Sequence, residues 1–407
     1  MGSSRKVISL LLAVLLMFLA ACSNSSDNKG NDASEGNGEK EETVKIGALM
    51  SLSGNFAPLG EGMRKGLDLY LEKQNYKFGN RKVEIIYEDD ENNPQIALRK
   101  YRKLVDSDKV DMLVGIASST ILYAVRDQVD KGKIPLLVAN AGGNDISWDQ
   151  KSDYIWRSSF SNWQIGAGGA SYYANHIGKK VFIIAPDYPA GREQVESFEE
   201  AFKNAGGEVM ETVWTKVGTT DFASFMPEIA KTKPDVVFTF HTGADAIRFV
   251  MQYQEFGFKD KIPLITQASS DVATTPEIKK ALEGSYFALM YTLTLDNETN
   301  KRFIAEYREK YGKDPQGGYD MQGYDAGQIL GKVIQSAKSI DSEEFVKIFK
   351  NNLTIDSPRG SLTIDPVTHN PITNVYIQKY IMKDGELTSE DVATVEGVAM
   401  PEQKQRK

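Results

Sequence analysis

The chain of 407 residues carries 48 lysines and arginines against 56 aspartates and glutamates, a formal net charge of −8, and 41% of its residues are hydrophobic. That length and composition suit a globular protein of two ordinary domains, and interspersed charges with an acidic excess exclude nucleic acid as a partner. A single cysteine excludes an intrachain disulfide, so stability must come from a buried core.

The N-terminal segment reads as an export signal. Arg5 and Lys6 precede an apolar run over 7–19 and then Leu19-Ala20-Ala21-Cys22, which supply the charged, apolar and small-residue regions of a signal peptide. The run is too short to span a bilayer. Its ending resembles the bacterial lipobox, so residues 1–21 are expected to be removed and Cys22 to carry lipid. Two or more acyl chains, at roughly 0.8 kcal/mol per buried methylene, would hold the protein on a membrane without spanning it. Residues 22–42 are almost all small, polar or charged, too poor in apolar side chains to order themselves, and read as a disordered tether.

Beyond the tether, short β-branched runs alternate with amphipathic stretches. Strands are expected at 44–49, 83–87, 112–115 and 135–139, with helices near 61–74, 94–105 and 121–131. Strand, helix and strand joined by short loops demand a parallel sheet covered by helices on both faces. A second series of the same kind follows a crossover near Phe160. It has strands at 181–185, 208–214, 236–240 and 263–266 and helices near 164–176, 192–204, 223–231 and 244–256. Residues 286–292 are read as the return to the first lobe, followed by helices near 298–311, 321–337 and 342–351 and a terminal hairpin over 360–364 and 373–381. The expected architecture is therefore α/β, with two doubly wound Rossmann-like lobes joined by strand crossovers. One lobe comprises 43–160 and 288–358, the other 161–287 and 359–400.

Ligands of such folds bind beyond the carboxyl ends of the strands, where helix N-termini offer free amides. After the strand at 112–115 comes Ala117-Ser118-Ser119-Thr120, three hydroxyl residues at a helix start, suited to an anion or, more simply, to capping the helix. Phe56, Trp163, Tyr188 and Tyr319 are candidate apolar walls. His241 stands at a strand end facing the expected cleft, where it reads as a polar wall, and Asp245 as a first-turn charge on the next helix. The three histidines have no metal-site or acid–base spacing, and no phosphate loop, nucleophile elbow or paired carboxylates occur. The sequence therefore calls for no cofactor, no metal and no catalysis.

Taken in order, Lys45-Ile46-Gly47, Ser53-Gly54, Gly115 with Ser118-Ser119-Thr120, Ile134-Pro135, Val138-Ala139-Asn140-Ala141, Arg157 with Phe160, Asp187 with Gly191, and Tyr319 with Gly323-Tyr324-Asp325-Ala326 resemble the leucine/isoleucine/valine-binding protein family. These are type I periplasmic binding proteins, the solute-binding lipoproteins of ABC transporters. The resemblance implies an extracytoplasmic receptor that closes on a small amino acid or carboxylic acid and docks on separate permease and ATPase subunits. The same fold also serves as a sensing module without transport. The family's carboxylate site falls on Ser118, Ser119 and Thr120, with backbone from Ala141 and a polar contact at the position held here by Gly143. Ala190 stands where an aromatic residue is usual, and Ala268 where an acid meets the ligand's ammonium. Unless Asp271 substitutes, that partner is missing. An unpaired buried ammonium costs several kcal/mol, so an aromatic or aliphatic carboxylic acid without one, or a polar neutral solute such as an amide, fits the implied pocket at least as well as an amino acid.

Overall fold

The computed structural model describes residues 42–266 and 275–403. The first lobe opens with β1 (Glu42–Met50), α1 (Ala57–Lys73), β2 (Lys77–Phe78), β3 (Arg81–Asp89), α2 (Pro94–Arg102), β4 (Met112–Gly115), α3 (Ser119–Gly132), β5 (Leu136–Val138) and β6 (Ile155–Arg157). Its six strands run in the order β2-β3-β1-β4-β5-β6, parallel except for β2. Alternation along each strand explains why both faces are covered. Val44, Ile46, Ala48 and Met50 enter one core with Met112 and Val114, whereas Leu49 and Leu113 enter the core on the opposite face.

The chain then crosses and builds α4 (Asn162–Gly168), α5 (Ala170–His176), β7 (Lys180–Pro186), α6 (Pro189–Asn204), β8 (Glu208–Thr215), α7 (Met226–Thr232), β9 (Val236–Thr239), α8 (Gly243–Glu255), β10 (Leu264–Ile265), α9 (Pro276–Leu282) and β11 (Tyr286–Leu289). The single helix expected over 164–176 is two helices, broken at Gly168 and Gly169; a Cβ at Gly168 would lie 2.9 Å from the Val375 side chain. On β7, Val181, Ile183 and Ala185 face one core, and Phe182 and Ile184 the other.

The final part comprises α10 (Glu298–Tyr311), α11 (Gly318–Ser336), α12 (Ser342–Phe349), β12 (Thr354–Ser357), β13 (Gly360–Ile364), β14 (Pro371–Lys383) and β15 (Glu386–Val398). The second sheet has the order β12-β13-β14-β11-β10-β9-β7-β8, with β15 on β14. The expected return at 286–292 is corrected here. β11 lies in the second sheet, parallel to β10 and antiparallel to β14, and the chain leaves that sheet after Leu289. Similarly, β13 pairs with β14 but places Leu362 and Ile364 in the core of the first lobe, so this segment bridges the lobes.

Helices α1 and α11 meet backbone to backbone. A Cβ on Gly66 would sit 1.8 Å from the Asp320 carbonyl oxygen, and one on Gly323 1.9 Å from that of Met63, so only glycine permits this approach. Among the described residues no helix is long and apolar enough to cross a membrane.

Candidate ligand-binding cleft

The carboxyl ends of the strands converge on a cleft between the lobes, with an empty volume of about 900 Å³ that includes its open mouth. The first lobe contributes Phe56, Leu59, Ala117, Ser118, Ser119 and Asn140-Ala141-Gly142, and the second Ile165, Tyr188, Ala190, Gln194 and Phe240. Tyr319 and Gln322 of α11 and Arg359, which follows β12, close the remaining side.

The loop that carries the hydroxyls is held tightly. Gly115 at φ 124° and Ile116 at φ 65° turn the chain sharply out of β4, and Ile116 is a β-branched residue in the left-handed region, a costly conformation fixed by its surroundings. Its N–H donates to Leu49 O (2.8 Å), and its carbonyl accepts from Ala141 N (3.1 Å). Ser118 caps α3, its Oγ accepting from Ile121 N (3.3 Å) and donating to Asn92 Oδ1 (2.7 Å). Ser119 Oγ accepts from Asn162 Nδ2 at 3.2 Å. The amides of the first turn have no partner within the helix and carry its positive dipole end, which suits a carboxylate.

Opposite, Tyr188 stacks on Phe240 with ring centroids 6.2 Å apart and planes 10° from parallel. Burial, then Asp245 and Glu193, raise the Tyr188 hydroxyl well above its ordinary range, so it stays neutral. Neither Asp nor Glu lines the cleft among the described residues. A carboxylate does bridge the lobes behind it. Glu193 of α6 accepts from Tyr123 Oη of α3, from Asn144 N (2.8 Å) and from Asn162 Nδ2 (2.8 Å). Burial raises its carboxyl above the usual range against those donors. Arg359 is buried and donates to Asp325 and to the Ser158 and Ser159 carbonyls, joining two of the crossovers.

The structure brings Phe56, Ser118, Ser119, Ala141, Tyr188 and Tyr319 together and leaves Thr120, Gly143, Trp163 and His241 out of the cleft lining. Thr120, one residue into α3, does not line the cleft. Gly143 is buried against Tyr123, whose ring would lie 2.8 Å from a Cβ there, so its neighbour Gly142 lines the wall instead. Trp163 faces a separate cavity with Trp148, Glu196 and Glu200. His241 is fully buried between Thr215 Oγ1 (2.9 Å) and Thr239 Oγ1 (2.6 Å) and packs on Phe222 and Phe249, a neutral core imidazole pushed down to about 3 by burial. Asp271 and Cys22 lie outside the described residues. Asn140, Asn162, Gln194 and Gln322 were not singled out from sequence. Gln194 had one signal: it occupies the buried stripe of α6 with Gly191, Val195, Phe198 and Phe202, where an amide has no reason to be unless it meets something polar. No group of three or more His, Cys, Asp or Glu among the described residues is placed to hold a metal.

Residues 43–386 match the family described as periplasmic binding protein. The chain belongs to that family. Two packed α/β lobes with three crossovers and a cleft at their strand ends are its fold. The chain is 28% identical over 362 residues to the Leu/Ile/Val-binding protein homolog 6 of Brucella melitensis, covering 87% of this chain and 92% of that one. Among solved structures it is similar to an ABC transporter substrate-binding protein from Sphaerobacter thermophilus, with a TM-score of 0.82, 32% identity and coverage of 88% and 98%. It is also similar to an ABC transporter solute-binding protein from R. palustris in complex with benzoate, with a TM-score of 0.79, 30% identity and coverage of 88% and 98%. This periplasmic binding protein is thus of the Leu/Ile/Val-binding, ABC-transporter type, a class of solute receptors rather than enzymes.

Proposed function

We propose that this chain is the lipid-anchored receptor of an ABC importer and that its solute is an organic acid lacking an ammonium group, with an aromatic acid as the leading class. The observation that carries this reading is the cleft's lining: serine hydroxyls at a helix N-terminus on one lobe, stacked aromatic rings on the other, and no carboxylate among the described lining residues. The Ser119 hydroxyl and the first-turn amides of α3, beside Ser118 and Ala141, hold the carboxylate, and Phe56, Tyr188, Phe240 and Tyr319 cover the ring. Among the described lining residues an α-ammonium would meet no carboxylate, and burying it without one costs several kcal/mol. The benzoate held by the R. palustris relative supports the same ligand class.

On this reading Cys22 carries the anchor, residues 22–42 the tether, and the closed lobes dock on permease and ATPase subunits at the extracytoplasmic face. The name of the Brucella relative favours a second reading, a branched-chain amino acid, whose ammonium would need Asp271. A thermal-shift comparison of benzoates, aliphatic acids and leucine, isoleucine and valine separates the two. Ligand at a thousand times its Kd stabilises the fold by about 4 kcal/mol. Stabilisation by ammonium-free acids is expected; stabilisation by the amino acids alone would overturn the proposal.

A further inference from the structure

The cavity that Trp163 faces is separate from the cleft and has an empty volume of about 1100 Å³, its mouth included. Both lobes build it. The loop after β5 supplies Asn144, Trp148 and two acids, α4 supplies Trp163, and α6 supplies Glu196. The segment that follows β15 forms a further side, fixed by Trp148 Nε1 donating to Pro401 O at 2.9 Å and by Gln403 Nε2 donating to Asp149.

Its charge is one-sided. No Lys, Arg or His is among the described lining residues, whereas Asp145, Asp149, Glu196 and Glu402 bring carboxylates, none of them in an ion pair among the described residues. Acids alone are ordinarily solvated, but two further features point to a ligand. The half-buried indoles of Trp148 and Trp163 share the cavity with those acids, and an indole face attracts a cation. The second feature is Asn144, which is only 4% exposed. Its orientation is dictated: Oδ1 accepts from Trp163 N at 2.8 Å, and a backbone N–H can only donate, so the NH₂ group is the other end. That Nδ2 has no partner among the described residues. Nor is it one of the atoms sealed inside the protein, so it opens on the cavity that Asn144 lines.

We infer that this cavity is a second binding site, for a small organic ammonium ion that also carries a hydroxyl or carbonyl oxygen. The indoles and carboxylates hold the cation, and Asn144 Nδ2 donates to the oxygen. Cation and acceptor are both needed, because the carboxylates reject an anion and the free N–H₂ group has nothing else to meet. The site stands whether or not the cleft takes an aromatic acid.

The test is isothermal titration of the full chain with choline, tetramethylammonium and 3,3-dimethylbutan-1-ol, the uncharged isostere of choline. Choline should bind, tetramethylammonium about three- to tenfold more weakly for want of the oxygen, and the isostere not measurably. Added salt should weaken choline, since the acids are open to solvent. Trp163→Leu and Glu196→Gln should each cost about threefold or more in choline affinity. Both residues lie outside the cleft lining, so any acid that raises the melting temperature of the unaltered chain should do so equally in the variants. If Trp163→Leu does not fold, the exposed Glu196→Gln and the ligand series on the unaltered chain still decide. Choline binding no tighter than the isostere overturns the inference, and so does choline binding that neither substitution alters. Binding that appears only in a chain ending at Gln403 would make Lys404, Arg406 or Lys407 the cation of this cavity and would equally overturn it.

Discussion

Arg359 Nε lies 3.1 Å from Asp325 Oδ2, and the two side chains are 1% and 0% exposed. Ser357 Oγ also donates to that oxygen, at 2.8 Å, while the other guanidinium nitrogens reach the Ser158 and Ser159 carbonyls. One arginine thus ties the first crossover, the last crossover and α11 into a single knot at the base of the cleft. Burial still pushes Asp325 up to about 6 against the pull of that guanidinium.

Removing either partner leaves the other charge buried and unpaired. Arg359→Met is expected to cost about 3 to 5 kcal/mol in urea denaturation, whereas Arg359→Met combined with Asp325→Leu should recover much of the loss. A double variant as weak as the single one would mean that the carbonyl contacts, not the ion pair, matter.

Gly66→Ala would set a methyl 1.8 Å from the Asp320 carbonyl and force α1 and α11 apart. The expected loss is about 1 to 3 kcal/mol or more, read as a lowered denaturation midpoint. Gly79→Ala is a useful comparison: a Cβ there meets nothing within 4 Å, so only its backbone strain at φ 62° should register.

The Tyr123–Glu193 bond joins α3 of one lobe to α6 of the other, so a hinge opening that parts these helices would break it. Tyr123→Phe should weaken ligand affinity by about tenfold, and mostly through faster dissociation, since the lost bond is to a charged acceptor and acts after encounter. Stopped-flow fluorescence separates the two rates; an unchanged dissociation rate would remove Glu193 from the closing step.

Acid should destabilise the fold through its buried histidines. His369 stacks on Trp156 at 3.5 Å, with Nδ1 3.1 Å from Ile155 O, and burial, helped by Lys151, pushes it down to about 4; His241 is down to about 3. Both are neutral in the fold but protonate near 6.5 when unfolded. Each contribution is therefore complete above about pH 6.5 and is lost as pH falls toward the folded value, amounting to about 2 kcal/mol apiece by pH 5. Stability curves for the parent and His369→Gln should diverge between pH 7 and 4, with the variant shallower; parallel curves would refute the assignment.

The order of strands and helices was legible because parallel strands covered on both faces are apolar throughout, and that pattern shows in 112–115 and 181–185. β15 escaped because Glu386–Val398 is an edge strand, mostly exposed and polar along much of its length. Its pairing with β14 depends on backbone bonds that composition does not record. In the cleft, Ser118 and Ser119 could be read from their place after a strand, and Ala141 from the family resemblance. Thr120, Trp163 and His241 could not be excluded by the same logic, because one step along a helix or strand turns a side chain from the opening into the wall. Asn162, Gln194 and Gln322 were hidden for the opposite reason: a glutamine or asparagine in a helix looks like a surface residue until its neighbours are known to be buried.

The path of β14 has a consequence for how the molecule assembles. Its first residues pair with β13, whose apolar side chains fill the core of one lobe, and its middle lies against β11 in the sheet of the other. Neither core is complete until a segment more than 300 residues from β1 has arrived, so the sequence separation of essential contacts is long and folding is correspondingly slow. Thermodynamically, the two halves share a keystone and should melt in one cooperative transition rather than as independent domains.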